Sequence, residues 1–212
     1  MAIDEREKSP PPPAGLSRRG FLKGAGAGAA TVSLLGGATE ALAAANPSRT
    51  FGPGAVAITL KVNGVDRKLE VEPSTTLADA LRNTLGLTGT KVVCDRGACS
   101  ACTVWLDKTP VNACLTFALD AVGHSLTTIE GLAKGDALHP VQEAFIEYDA
   151  LQCGFCTPGM VMSCAALLAR NPHPTLDDVK DATCGNLCRC GTYPKVFEAT
   201  LAAARGGGRK EG

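Results

Sequence analysis

The side chains of this sequence best suited to chemistry are its thiols. Ten cysteines stand in 212 residues: Cys94, Cys99, Cys102, Cys114, Cys153, Cys156, Cys164, Cys184, Cys188 and Cys190, with none earlier. An even count in an exported protein is compatible with a disulfide framework. The C-x-x-C and C-x-C spacings instead bring thiolates close enough to converge on a metal, which long-range disulfides do not require.

Cys94, Cys99 and Cys102 follow C-x4-C-x2-C spacing, and Cys114 comes eleven residues later. This is the plant-type [2Fe–2S] pattern, in which a loop curls around a small anionic cluster and a fourth cysteine arrives from further along the chain. Gly97, Ala98, Ser100 and Ala101 keep the loop's side chains small, so that backbone N–H groups can turn toward sulfur and offset its charge. A closed four-cysteine zinc site would instead use two short knuckles. The second set is less decided by spacing. Cys153-x2-Cys156 and Cys188-x-Cys190 would bring four thiolates from helix ends, but Cys153-x2-Cys156 with Cys184-x3-Cys188 is also a fair zinc site. The segment "TCGNLCRCG", residues 183–191, therefore holds three thiols whose roles differ.

The elements that must position these thiols divide into two kinds. "ITLKV" and "VDRKLEV" alternate apolar and polar residues on either side of Asn63-Gly64, a hairpin signal because both turn residues tolerate positive φ. Ile58, Leu60 and Val62 should face one side, as should Val65, Leu69 and Val71. "STTLADALRNTLG" then places Leu77, Leu81 and Leu85 on one helical stripe, with an N-cap among Ser74 to Thr76 and Gly86 as the stop. "TVWLD" reads as a further strand that leads back toward Cys114.

After about residue 135 the alternation ends and helical periodicity takes over. Val141, Phe145 and Tyr148 share a face behind Pro140. Thr157 is expected to cap the helix of "TPGMVMSCAALLARN", with Pro158 in its first turn. "TLDDVKDA" offers Thr175 and Asp178 as a near capping box, and a last helix should run from Pro194 to about Arg205. Four short helices suggest a small bundle. The expected fold class is α+β: a linker over 44–55, a strand-rich unit over 56–132, a helical unit over 133–205 and a disordered tail over 206–212.

The N-terminus reads as an address. "SRRGFLK" pairs Arg18 with Arg19 ahead of Phe21, Leu22 and Lys23, an Ala/Gly-rich run follows, and Ala41-Leu42-Ala43 is a small-residue cleavage site. That order describes a twin-arginine signal over residues 1–43. The run is too short and too weakly apolar to span a bilayer comfortably. Such a route takes folded proteins, so a metal cluster can be assembled in the reducing cytoplasm first, and the expected location is the periplasm.

The full chain balances 21 Lys+Arg against 21 Asp+Glu. Residues 1–43 hold five of the basic and four of the acidic residues, which leaves 16 against 17 in the remainder. Neither that balance nor any Lys/Arg cluster suggests a nucleic-acid partner. "GAGAGAA" follows no strand and is no dinucleotide fingerprint. Asp120, His124 and His139 form no nucleophile or acid–base arrangement and read as ordinary surface or loop residues. No catalytic residue is expected in this chain.

Taken together and in this order, "CDRGACSACTVWLD" with its following "AC", "QCGFCTPGM" and "GNLCRCGTYP" resemble the small iron–sulfur subunit of the xanthine oxidase family of molybdenum hydroxylases, over about residues 57–205. The resemblance implies a β-grasp, plant-ferredoxin-like domain followed by a helical domain, each with one [2Fe–2S] cluster. It implies that Cys94, Cys99, Cys102 and Cys114 hold an outer cluster, and Cys153, Cys156, Cys188 and Cys190 an inner one. Gln152 and Cys190 would approach the molybdopterin cofactor, which belongs to a large partner subunit. Electrons would leave that subunit's molybdenum centre singly, through the inner and then the outer cluster. The acceptor would be FAD on a third subunit or a periplasmic or membrane-bound cytochrome. The substrate would be an aldehyde, a purine or an N-heterocycle.

Two departures from the family pattern stand out: Val93 where glycine often precedes the first cysteine, and Ser100 where a loop glycine commonly follows the second. The export signal resembles the subset of periplasmic aldehyde oxidoreductases. Cys164 and Cys184 are then spare, the first a core residue, the second a bystander or a partner for Cys164 after export. A free-standing two-cluster ferredoxin is the competing reading, and a zinc-stabilised module a third.

Overall fold

The computed structural model describes residues 51–206. The expected signal over 1–43, most of the linker and all but the first residue of the tail lie outside the described residues. Strands β1 (Val56–Val62) and β2 (Val65–Val71) form the expected hairpin, antiparallel with Val62 opposite Val65. Asn63 and Gly64 take φ of 52° and 81°, the left-handed pair that a two-residue turn demands. Strands β3 (Thr103–Leu106), β4 (Thr109–Asn112) and β5 (Ser125–Thr127) complete a mixed sheet of order β2-β1-β5-β3-β4, in which β1 and β5 run parallel.

One face of this sheet makes a core of Ile58, Leu60, Val62, Leu69, Val104 and Leu126, closed by Leu77 and Leu81. Val65 departs from the expected stripe and is 50% exposed, because it lies at the turn end of the hairpin. The expected helix over Leu77–Leu85 is also shorter. Thr76 caps Leu77–Asp79, accepting from the Asp79 N–H, and the chain then widens into a π-turn over Ala80–Thr84. The wider turn lets Leu85 N–H reach Ala80 O at 3.0 Å, and Gly86 ends it at φ 71°.

The helical half packs α1 (Pro140–Glu147), α2 (Thr157–Arg170), α3 (Leu176–Thr183) and α4 (Tyr193–Ala204) around Val141, Phe145, Met160, Met162 and Val196. His139 caps α1 through Nδ1, and Thr175 with Asp178 forms the expected capping box on α3. Two expectations shift by one residue: Cys156, not Thr157, is the N-cap of α2, and α4 opens at Tyr193 rather than Pro194. The first shift matters, since it places a candidate thiol at the positive end of a helix. Trp105 of β3 joins the two halves, its Nε1–H donating to Met162 O of α2 at 2.9 Å. Among the described residues no helix is long and apolar enough to cross a membrane.

Candidate metal centres

The first cysteine loop is held at both ends. Arg82, on the π-turn, donates through Nη1 to Thr88 O at 2.8 Å and Thr90 O at 2.7 Å, fixing the approach. The loop then curls through left-handed residues, with φ of 51° at Asp95, 70° at Gly97 and 51° at Ser100. Ser100 thus adopts the conformation for which glycine is the unstrained choice, while exposed Val93 leaves the approach to the loop apolar. Gly97 N–H donates to Cys114 Sγ at 3.3 Å, as the small residues of the loop predict. Any side chain at 97 would meet Leu115, whose Cδ1 lies 2.3 Å from the position of a Cβ.

The thiols of this loop interact in twos. Cys94 is held down to about 7, first by the Arg96 backbone N–H and then by the Cys99 thiol. Burial pushes Cys102 up to about 12 against the pull of the Cys114 backbone, and the Cys114 thiol adds to the rise. Cys99, Cys102 and Cys114 are buried and Cys94 is half-buried.

The second set repeats the arrangement at two helix N-termini. Cys153 and Cys156 flank Gly154 (φ 81°) ahead of α2, and Cys188 and Cys190 precede Gly191 (φ 78°) and the N-cap of α4, Thr192. Both helix dipoles direct positive potential toward the thiols. Cys156 is pushed up to about 12 by burial and then by the adjoining Cys188 thiol. For Cys188 burial acts upward, yet the Thr192 hydroxyl at 3.2 Å, the Thr192 backbone N–H and the Cys156 thiol together bring it down to about 7. The Cys153 backbone N–H lowers Cys190, but the Cys153 thiol and desolvation outweigh it and the net shift is upward. Cys153 also raises Cys156 and Cys188 also raises Cys190, so the four thiols act on one another; Cys156 and Cys188 are half-buried, Cys153 and Cys190 exposed.

The number and type of donors in each set bear on the metal they could hold. A single tetrahedral zinc draws its ligands to one point. A [2Fe–2S] cluster takes four thiolates, two at each iron. Each set offers four thiols, the ligand number and type that a [2Fe–2S] cluster takes. A hollow of 490 Å³ runs between them, with Cys94 and Cys99 from the first set and Cys153, Cys156 and Cys188 from the second on its walls. Across it Leu187 N–H donates to Cys99 O at 3.0 Å.

The remaining candidates separate from these sites. Gln152 is exposed beside Cys153. Cys164 lies in the helical core against the Thr200 hydroxyl, with burial pushing it up to about 12, while Cys184 is exposed at the end of α3; both are free thiols. His124 pairs with Asp107 on the surface, His139 is a helix cap, and Asp120 sits in a 3-10 turn over Leu119–Ala121. Sequence reasoning missed Arg82, Gly159, Ser163, Asn186 and Tyr193. Only Gly159, inside an apolar helical run, carried a signal of close backbone approach.

Comparison with known proteins agrees with this division. Residues 60–122 match the 2Fe-2S iron-sulfur cluster binding domain, residues 128–201 the [2Fe-2S] binding domain, and residues 15–34 the twin-arginine translocation pathway signal sequence. The chain is 43% identical over 204 residues to the aldehyde oxidoreductase iron-sulfur-binding subunit PaoA of Escherichia coli K12, covering 89% of this chain and 88% of that one. It is 48% identical over 157 residues to the nicotine 6-hydroxylase small subunit of Paenarthrobacter nicotinovorans, covering 74% and 94%. Among solved structures, quinoline 2-oxidoreductase from Pseudomonas putida 86 superposes with a TM-score of 0.68 at 44% identity, over 72% of this chain and 98% of that one. With two cluster-binding domains in tandem behind a twin-arginine export signal that addresses it to the periplasm, the chain belongs to the small [2Fe–2S] iron–sulfur subunits of the molybdenum hydroxylases and serves as the electron-transfer component of a multi-subunit oxidoreductase.

Proposed function

We propose that Cys94, Cys99, Cys102 and Cys114 hold the outer cluster and that Cys153, Cys156, Cys188 and Cys190 hold the inner one, within units spanning 56–132 and 133–205. The placing of four thiols on and beside the first loop and four at the N-termini of α2 and α4 carries this assignment. It offers Cys94 with Cys99 to one iron and Cys102 with Cys114 to the other, then Cys153 with Cys190 and Cys156 with Cys188 in the second site. A [2Fe–2S] cluster supplies one-electron chemistry at a potential set by its surroundings. The chain's own residues do the rest. Gly97 N–H and the Thr192 hydroxyl donate to sulfur, Leu187 and Phe155 cover the approach, and the peptides define a route.

That route has a direction. Cys153 and Cys190 are exposed, with Gln152 beside them, and form the entry face toward the pterin of a large subunit. Cys156 and Cys188 lie deeper. From Cys188 one peptide leads to Leu187, whose N–H meets Cys99 O at 3.0 Å, so a single hydrogen bond spans the two ligand sets. Cys94 lies at the exit, where Val92, Val93, Asp95 and Arg96 are exposed toward an acceptor, FAD on a third subunit or a cytochrome. Phe155 at 60% exposure and Leu187 at 56% give the helical half the apolar face that a partner covers and a free-standing ferredoxin would not retain. One relative matched over 89% of this chain is an aldehyde oxidoreductase subunit, so aldehydes are the substrate class to test first.

The test is co-purification. A tagged copy of the full chain should bring down a molybdenum-containing large subunit and hold about four irons. Recovery of the loaded chain alone would favour the free-standing carrier, and zinc in place of iron would remove both readings.

A further inference from the structure

Asn186 lies between the two ligand sets and belongs to neither. It is 3% exposed, and each of its hydrogen-bonding groups is engaged. Its backbone N–H donates to Thr183 O at 2.9 Å, closing the turn after α3. Its Nδ2 donates to Ser100 O at 3.0 Å, in the middle of the first cysteine loop, and its Oδ1 accepts from Ser163 Oγ of α2 at 2.8 Å. Its carbonyl accepts from the Tyr193 hydroxyl at 3.1 Å, and that same hydroxyl accepts from Cys188 N–H at 2.8 Å.

One buried residue thus touches both ligand loops, the first through its side-chain amide and the second through its backbone carbonyl. On one side it fixes the carbonyl of Ser100, two residues before Cys102 and one after Cys99. On the other it fixes, through Tyr193, the amide of Cys188. The next residue, Leu187, carries the N–H that reaches Cys99 O. Gly159 completes the joint: a Cβ there would lie 2.3 Å from Ser100 O, so only glycine lets the loop seat against α2. Fully partnered buried polar groups fix one arrangement and make any other costly, because each alternative leaves a donor or acceptor unpaired.

We infer that Asn186 is a positioning residue for electron transfer, setting the separation and relative orientation of the two cluster-binding loops while supplying no ligand to either. The inference rests on the cluster assignment above. Its function is specific: loss of the side-chain amide leaves all eight thiols in place but frees the Ser100 loop to move relative to Cys188.

The test uses the assembled, fully loaded enzyme, reduced with dithionite and examined by electron paramagnetic resonance. Wild type should give two signals with magnetic splitting between them; absence of two signals overturns the cluster assignment itself and with it this inference. Asn186→Ala is expected to keep both signals at full iron content, lose the splitting and slow reduction of the outer centre. Gly159→Ala displaces the same Ser100 carbonyl with Asn186 untouched and should reproduce the loss. Ser163→Ala removes a partner of Asn186 but spares its bond to Ser100. It should lower thermal stability with the splitting preserved, a result that a merely structural role for Asn186 does not predict. Unchanged splitting and reduction rate in Asn186→Ala overturns the inference. Should that variant fail to assemble, unchanged splitting in Gly159→Ala does so.

Discussion

The backbone N–H of Leu187 lies 3.0 Å from the carbonyl oxygen of Cys99 and joins the second cysteine set to the first by one hydrogen bond. Each partner is bonded to or within a proposed ligand residue: Leu187 precedes Cys188, and Cys99 is itself in the first set. Leu187→Pro removes this donor and leaves a carbonyl unpaired, at a cost of about 1–3 kcal/mol. Rapid-mixing reduction of the assembled enzyme should show slower transfer between the two centres. Leu187→Ala keeps the N–H, so its transfer rate should match wild type even though an exposed apolar side chain is gone. Equal rates in both variants would exclude this hydrogen bond from the route.

The assignment in the helical half predicts opposite outcomes for two neighbouring thiols. Cys190→Ser should abolish the inner signal and leave the outer one, because Cys153 loses its partner while the first loop is untouched. Cys184→Ser should leave both signals at full intensity, since that thiol is exposed at the end of α3 and pairs with none of the eight. Iron and acid-labile sulfide measured with the spectra would show whether a missing signal reflects a missing cluster.

Gly97 should tolerate no side chain. Its φ is 70°, its N–H donates to Cys114 Sγ, and Leu115 occupies the space that a Cβ would need. Gly97→Ala adds about 1–2 kcal/mol of left-handed strain in addition to the clash. The outer signal should weaken or shift in potential with the inner signal unchanged. An equal effect on both would mean that the loops do not respond independently.

The legible part of this molecule was the part written in spacing. Cys94-x4-Cys99-x2-Cys102, the Asn63-Gly64 turn and the Thr175–Asp178 box each encode geometry within a few residues, and the turn and the box formed as expected. What could not be read depends on distant partners. Val65 follows the apolar alternation yet is exposed, because it stands at the turn end of β2, the edge strand of the sheet, while Val62 opposite it on β1 is buried. Leu77–Leu85 has helical spacing, but the chain must widen there to pass from Leu81 to the Arg82-pinned loop. Asn186 and Ser100 are 86 positions apart in the chain, and nothing in "GNLCRC" says which carbonyl the asparagine will meet.

His139 gives the fold a pH dependence of definite sign. Burial is the main cause that holds its imidazole below the usual histidine value, and neutral Nδ1 accepts the Val141 N–H at the start of α1. A folded pKa below the unfolded one means that the unfolded chain binds the proton more readily. Stability is therefore unaffected above the unfolded value of about 6.5 and falls as pH drops below it toward the folded value. Melting temperature measured across that window should decline in wild type. His139→Asn, which retains a capping acceptor without the titration, should flatten the decline.

The most direct test of two binuclear centres is spin quantitation of the dithionite-reduced full chain in its complex, with iron and sulfide assayed on the same sample. Two distinct paramagnetic signals integrating to about two spins per chain, with about four irons, are expected. A single signal integrating to about one spin, or zinc where iron should be, would contradict the two-cluster assignment.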